Sequence, residues 1–366
     1  MNTKSARRQP GAAHADRLSR MRSAIADARV DAFLVLDRMD QYWLTGFTGE
    51  DGGVIVTADQ VVLLTDGRFG ENADTEAPYA RKVLRKKRSV EETVAELRRL
   101  RARRVGFEPA HLNVGAFAEL RKLGNGMTFK AVSGVVSAMR QLKDAGEIEV
   151  IRHAIDVAQR ALHATRSAIK PGETERSIAA LLEFEMRRLG ADEAAFGTIV
   201  ACGPNGSLPH YRAGDRKIAD NDCVLVDWGA RCDWYVSDLT RVIWTGSIPA
   251  ELGKVHRIVK EAHDRAVAAV RAGARASAVD RAARQHIHKA GFGKQFTHSV
   301  GHAIGLNVHE APGLRKLSKD VLKAGMVVTI EPGIYLPGIG GVRVESDVLV
   351  TANGPEVLST LPLDVP

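Results

Sequence analysis

The chain has 366 residues, 45% of them hydrophobic and 26% charged, a globular composition on a chain too long for one ordinary core, so two domains are expected. No apolar run approaches the roughly 18 residues needed to span a bilayer, and the opening MNTKSARRQPGAAHADRLSRM carries positive charge without the apolar stretch of a secretory signal. The three cysteines, Cys202, Cys223 and Cys232, have no CxxC spacing, which argues against a thiolate zinc cage or a disulfide frame and for a reducing, cytoplasmic location.

In chain order, residues 1–14 read as a flexible arm and 15–135 as an α/β domain. ADRLSRMRSAIADA suggests a helix, DAFLVL a strand, GGVIVT with QVVLLTD a hairpin, EETVAELRRLRA a helix and RRVGFE a short strand. The net charge is +8, and residues 81–104 hold eleven Lys/Arg against three Glu. Such a patch could contact nucleic-acid phosphates. A solvated helix face is the expected reading, because Val90, Val94 and Leu97 form one apolar stripe and no aromatic side chain interleaves the charges.

From about 136 to 366 a second domain is expected, opened by a long helix on which Ile148, Ile151, Ile155, Ala158 and Leu162 recur at helical spacing. Its plan runs twice. Helices over 147–169 and 174–189 precede the strands CVLVDWG and YVSDLTRVIW; helices over 252–271 and 278–290 precede MVVTIE and GVRVESDVLVT. PGETERS and RAGARAS mark the two helix–helix breaks. The reading is a duplicated α/β half.

Acidic residues interrupt these strands. A hairpin turning near Ala230–Asp233 places Asp227 opposite Asp238. Two carboxylates ~4 Å apart cost about 4 kcal/mol at an effective dielectric of 20, which protons, cations or solvent must offset. Downstream, Glu331 ends a strand before Pro332, and the returning strand carries Glu345. Four carboxylates balance two divalent ions, and one neutral imidazole completes an oxygen-rich site suited to Mn²⁺, Co²⁺ or Fe²⁺ at least as well as Zn²⁺. Two ions ~3.5–4 Å apart can share a hydroxide and stabilise the oxyanion formed when it attacks a carbonyl.

With VDWGA, SDLTR, HSVGHAIGLNVHE, EPGIY and GGVRVE all present, the chain resembles the pita-bread metallopeptidases, in particular the proline-directed branch of Xaa-Pro aminopeptidases and prolidases. YWLTGFTG and LLTDGRF resemble the creatinase-type leading domain. The resemblance implies an α/β (α+β) fold class, with a creatinase-like N-terminal domain followed by a pita-bread domain of pseudo-twofold duplicated halves. It implies two divalent ions, Mn²⁺ first and Co²⁺, Fe²⁺ or Zn²⁺ as alternatives, on Asp227, Asp238, His302, Glu331 and Glu345. His210, His309 and Glu331 take catalytic roles by the same likeness, with Glu331 passing the water's proton to the leaving nitrogen. His298, Tyr335 and Arg343 are candidates to line the substrate pocket, although Arg343 has the alternative of pairing with Glu345 or another nearby acid.

The partners implied are small peptides and a second copy of the chain in a homodimer, with no membrane and no nucleic acid. Three positions depart from the family pattern: Ala303 stands where Gly follows the metal histidine, Ser346 where a second acid is common, and Asn307 where Glu is frequent. The competing functions are a methionine aminopeptidase and a non-catalytic nucleic-acid- or protein-binding member of the same fold.

Overall fold

The computed structural model describes residues 11–364 and divides into two compact units, Met1–Arg140 and Gln141–Pro366. Of the expected arm, residues 1–10 lie outside the described residues, while 12–14 already belong to the first helix, Ala12–Asp27. Among the described residues no helix is long and apolar enough to cross a membrane, and all three cysteines are free and buried.

The first unit is built on a six-stranded mixed sheet. Its order is Arg81–Leu84, Val61–Thr65, Gly52–Thr57, Ala32–Val35, Arg104–Phe107, Thr128–Ala131. The expected hairpin is present, with Val54 opposite Leu63. The basic segment is not one helix face. It supplies the edge strand Arg81–Leu84, a turn, and the helix Ser89–Arg99, which buries Val94 and Leu97. Six of its eleven cations are held by acids: Arg81 and Arg99 by Glu96, Lys82 by Asp74, Arg85 by Asp51, Arg88 by Glu91 and Glu119, and Arg104 by Asp31. Paired charges leave less field for phosphates.

A short helix, Val135–Arg140, ends the first unit. The long helix of the second unit, expected over 147–169, starts at Ala145 and runs to Thr165. Asp144 sets that start: its carboxylate accepts from the Glu147 N–H at 2.9 Å, and the Glu147 carboxylate accepts from the Asp144 N–H at 2.8 Å.

The repeat in the second unit extends to individual hydrogen bonds. Helices Ala145–Thr165 and Glu175–Arg188 form one pair, Ala250–Ala269 and Ala276–Lys289 the other. Gly172 and Gly273 occupy the breaks with φ of 94° and 85°, backbone that only glycine adopts readily. Gly172 donates to Ile218 O, and Gly273 to Leu322 O. Ile218 and Leu322 donate back to Glu173 O and Ala274 O. Each half also has its own core, one around Ala158, Leu182 and Val226, the other around Val259, Val279 and Val328.

Candidate active site

Two interrupted hairpins carry the acids. In the first, Cys223–Trp228 pairs with Leu239–Trp244, placing Asp227 opposite Thr240, and the ladder resumes beyond a break as Ala230–Cys232 with Tyr235–Val236. Asp227 is therefore not opposite Asp238, as the sequence reading expected. The turn residues are Asp233 and Trp234, both at positive φ (44° and 76°), the signature of a two-residue turn whose twist matches the strands. That centre lies further along the chain than expected and shifts the register by two residues. A two-residue shift preserves the face, because side chains alternate with period two. Asp227 and Asp238 thus remain diagonal neighbours on one side.

The second hairpin repeats the plan. Val327–Ile330 pairs with Ser346–Thr351, and Gly333–Leu336 with Gly340–Arg343. The pairs Ile330 with Ser346 and Gly333 with Arg343 bracket the break, so Glu331 falls opposite Glu345 in the register. Asp227 and Glu331 lie four residues after the first residues of equivalent strands, Cys223 and Val327; Asp238 and Glu345 each directly precede the returning strand. The hairpins are cross-tied. Glu345 N–H donates to Thr240 O at 3.1 Å, the Thr240 hydroxyl donates to Glu345 Oε2 at 2.6 Å, and Asp238 N–H donates to Asp347 Oδ2 at 3.1 Å.

His302 comes from the strand Gly301–Ala303, alongside Val327–Ile330. A Cβ at Gly301 would lie 2.0 Å from Thr329 O, so only glycine permits this approach. His302 Nδ1 donates to Ala303 O at 3.2 Å, which leaves Nε2 facing Glu331 at 3.3 Å and Asp238 at 3.7 Å. Fixing one ring nitrogen on a carbonyl aims the other at a metal. The methyl of Ala303, which follows the candidate ligand His302, packs into the core of the second half.

Burial raises the Asp227 carboxyl, while Arg343 pulls it down. Burial and neighbouring carboxylates hold Asp238 and Glu345 well above the ordinary range. Glu331 resists the same burial because His302 hydrogen-bonds and charges against it, which keeps it near about 2. Asp347, unremarked in the sequence, is raised to about 7 by burial. Five acids so placed cannot all ionise without added positive charge.

Arg343 supplies part of that charge. Its Nη2 donates to Asp227 Oδ2 at 2.6 Å, its Nε to the Thr240 hydroxyl at 3.1 Å and its Nη1 to the Tyr335 hydroxyl at 2.7 Å. It is paired with an acid, and the acid is Asp227 rather than Glu345. Tyr335 is buried and donates to His298 Nε2 at 2.8 Å, while His298 Nδ1 donates to Ser299 O at 2.7 Å. Burial holds His298 below its ordinary pKa, as this neutral bonding pattern requires. Tyr335 orients His298 from behind, whereas the other expected site residues line a cleft of about 900 Å³. His210 and His309 are exposed on its walls, and the His309 ring lies 4.5 Å from that of His302. Sequence reasoning passed over Thr240 and Asp347, although each stands two residues after a candidate ligand, the spacing that shares a strand face.

Residues 149–352 match the model of metallopeptidase family M24, and residues 17–142 match the creatinase/prolidase N-terminal domain. The chain belongs to metallopeptidase family M24. A curated relative, the Xaa-Pro dipeptidase of Pyrococcus horikoshii, is 37% identical over 331 residues, 90% of this chain and 93% of the relative. Among solved structures, an Xaa-Pro dipeptidase from Bacillus anthracis superposes with a TM-score of 0.93 at 36% identity, covering 96% of this chain and 99% of that one. An X-Pro aminopeptidase from Thermotoga maritima gives 0.89 at 35% identity, covering 95% and 99%.

The M24 family implies divalent metal ions, and the residues here fit them. Asp238, His302 and Glu345 each bring a ligand atom within 4.8 Å of the others. Asp227 Oδ1 is buried without a hydrogen-bond partner, a cost that a cation would remove. The donors are hard oxygens and one imidazole, with no thiolate among them.

Proposed function

We propose that this chain is a dimetal-dependent exopeptidase that hydrolyses the Xaa-Pro bond of dipeptides or at the N-terminus of peptides. The observation that carries this reading is the convergence of acids from two equivalent hairpins with His302 on the wall of one cleft. Asp227, Asp238, His302, Glu331 and Glu345 hold the ions, with Mn²⁺ the first choice and Co²⁺, Fe²⁺ or Zn²⁺ as alternatives. Divalent ions there supply Lewis acidity and a water of lowered pKa.

The chain's own groups do the rest. Glu331 accepts the proton of the attacking water and delivers it to the proline nitrogen, which has no hydrogen of its own in the bond to be cut. His309 and His210, both exposed on the cleft lining, donate to the oxygen of the reacting carbonyl. His298, kept neutral by its two hydrogen bonds, presents a ring edge toward the proline side. Arg343 holds Asp227 in place and Tyr335 holds His298, so both act as positioning groups.

We place the enzyme in the cytoplasm as a homodimer acting on small peptides. Neither a methionine aminopeptidase nor a non-catalytic binder is favoured, since the relatives described above carry Xaa-Pro activities in their names and no expected ligand is missing here. The test is hydrolysis of Xaa-Pro, Xaa-Pro-Yaa-Zaa and Met-Ala peptides by protein loaded with Mn²⁺ or Co²⁺. Release of the first residue from the proline substrates is expected. Turnover of Met-Ala alone, or of nothing with either metal, would refute the assignment.

A further inference from the structure

Glu175 is the first residue of the helix Glu175–Arg188, and it is 0% exposed. Among the described residues no cation pairs with it. Its Oε1 accepts from Cys202 N–H at 2.8 Å and from Asn205 Nδ2 at 2.9 Å, and its Oε2 accepts from the Tyr211 hydroxyl at 2.8 Å and from Gly214 N–H at 3.2 Å. All four donors belong to one segment, 202–214, which carries His210 to the cleft. A buried carboxylate costs free energy unless its hydrogen bonds are complete, and here one group fastens a whole loop.

The duplication indicates that the helix itself does not need this carboxylate. The equivalent position in the second half is Ala276: Glu175 N–H donates to Arg216 O just as Ala276 N–H donates to Asp320 O. Alanine serves the same helix start. What the first half has in addition is the loop. His210 makes no hydrogen bond to the described residues, so its place is set through its chain neighbours: Tyr211 on Glu175, and Pro209, whose carbonyl accepts from Arg343 Nη1 at 3.4 Å.

We infer that Glu175, acting through Tyr211, is a positioning residue for His210, latching the loop so that the imidazole is held over the cleft before substrate arrives. This rests on the role given to His210 above. Positioning errors of about 1 Å can cost on the order of a hundredfold in rate, so the latch would influence kcat while leaving the acids untouched.

The experiment compares wild type, His210→Ala, Tyr211→Phe, the double variant and Glu175→Gln on an Xaa-Pro dipeptide, with Mn²⁺ binding followed by calorimetry. His210→Ala should lower kcat about a hundredfold. Tyr211→Phe should lower it roughly tenfold with Mn²⁺ affinity unchanged, and should add nothing in the His210→Ala background. Glu175→Gln, if it folds, should resemble His210→Ala; Tyr211→Phe carries the test if it does not. An equal loss from Tyr211→Phe in both backgrounds, or weakened Mn²⁺ uptake, would mean a general structural role and overturn the inference. Wild-type kcat in Tyr211→Phe beside an impaired His210→Ala would overturn the latch alone. Full activity in His210→Ala would remove the role of His210 and the latch with it.

Discussion

Arg343 has all three guanidinium nitrogens engaged, and among the described residues it gives the Asp227 carboxylate its only hydrogen bond. Replacing it with Met should leave that carboxylate buried beside other acids. Removing one partner of a buried ion pair costs about 3 kcal/mol or more, so metal-free Arg343→Met should lose about that much stability in urea. Saturating Mn²⁺ supplies the missing positive charge and should recover much of the loss; an identical loss with and without Mn²⁺ would contradict the electrostatic account. Gly301→Ala tests a steric claim instead. Its Cβ would meet Thr329 O at 2.0 Å, which forces the His302 strand away from its neighbour. Overpacking of this kind costs about 1–3 kcal/mol, readable as a shift in the urea midpoint.

At the scale of elements, the sheet of the first unit depends on a similar local device. Asp31 accepts from the N–H groups of Arg103 and Arg104 and from the Arg104 guanidinium, just ahead of the parallel pair Ala32–Val35 and Arg104–Phe107. The Arg104 side-chain hydrogen bond is the main reason its pKa falls from 3.8 to about 2. A depressed folded-state pKa contributes stability that is present above about pH 4 and lost as pH drops toward 2. Since the pair is partly exposed, about 1 kcal/mol is expected after screening. Asp31→Asn should therefore be less stable by about that amount at pH 7 and converge with wild type near pH 2, as followed by denaturant titration at each pH. A gap independent of pH would assign the effect to geometry rather than charge.

For the molecule as a whole, ions that bind only the folded state raise its stability by mass action. At a hundred times the dissociation constant the gain is about 2.7 kcal/mol per site. A chelator should therefore lower the thermal midpoint and added Mn²⁺ should restore it in a concentration-dependent way. No shift in the midpoint across a Mn²⁺ titration would mean that the acids are tolerated by protonation alone. The reason to expect a shift lies in the fold: both halves direct carboxylates to one place, and each half alone would carry acids without the facing set.

Sequence alone determined the elements that local rules control. Gly172 and Gly273 announced the helix breaks, runs of strand formers announced both hairpins, and the chemical kinds of Asp227, Asp238, His302, Glu331 and Glu345 suggested a site for hard cations. The capping pair Asp144 and Glu147 was equally legible, though the sequence reading started the helix at 147 rather than at Ala145. Tertiary structure decided the remainder, because it depends on which backbone groups meet across long separations. The turn at Asp233–Trp234 fixed the register that puts Thr240, not Asp238, opposite Asp227. Packing of strands distant in the chain gave Arg343 to Asp227, turned Ala303 into the core and buried Glu175 under the loop of His210. Side-chain chemistry is written residue by residue, whereas partnership is settled only when the two hairpins close on each other.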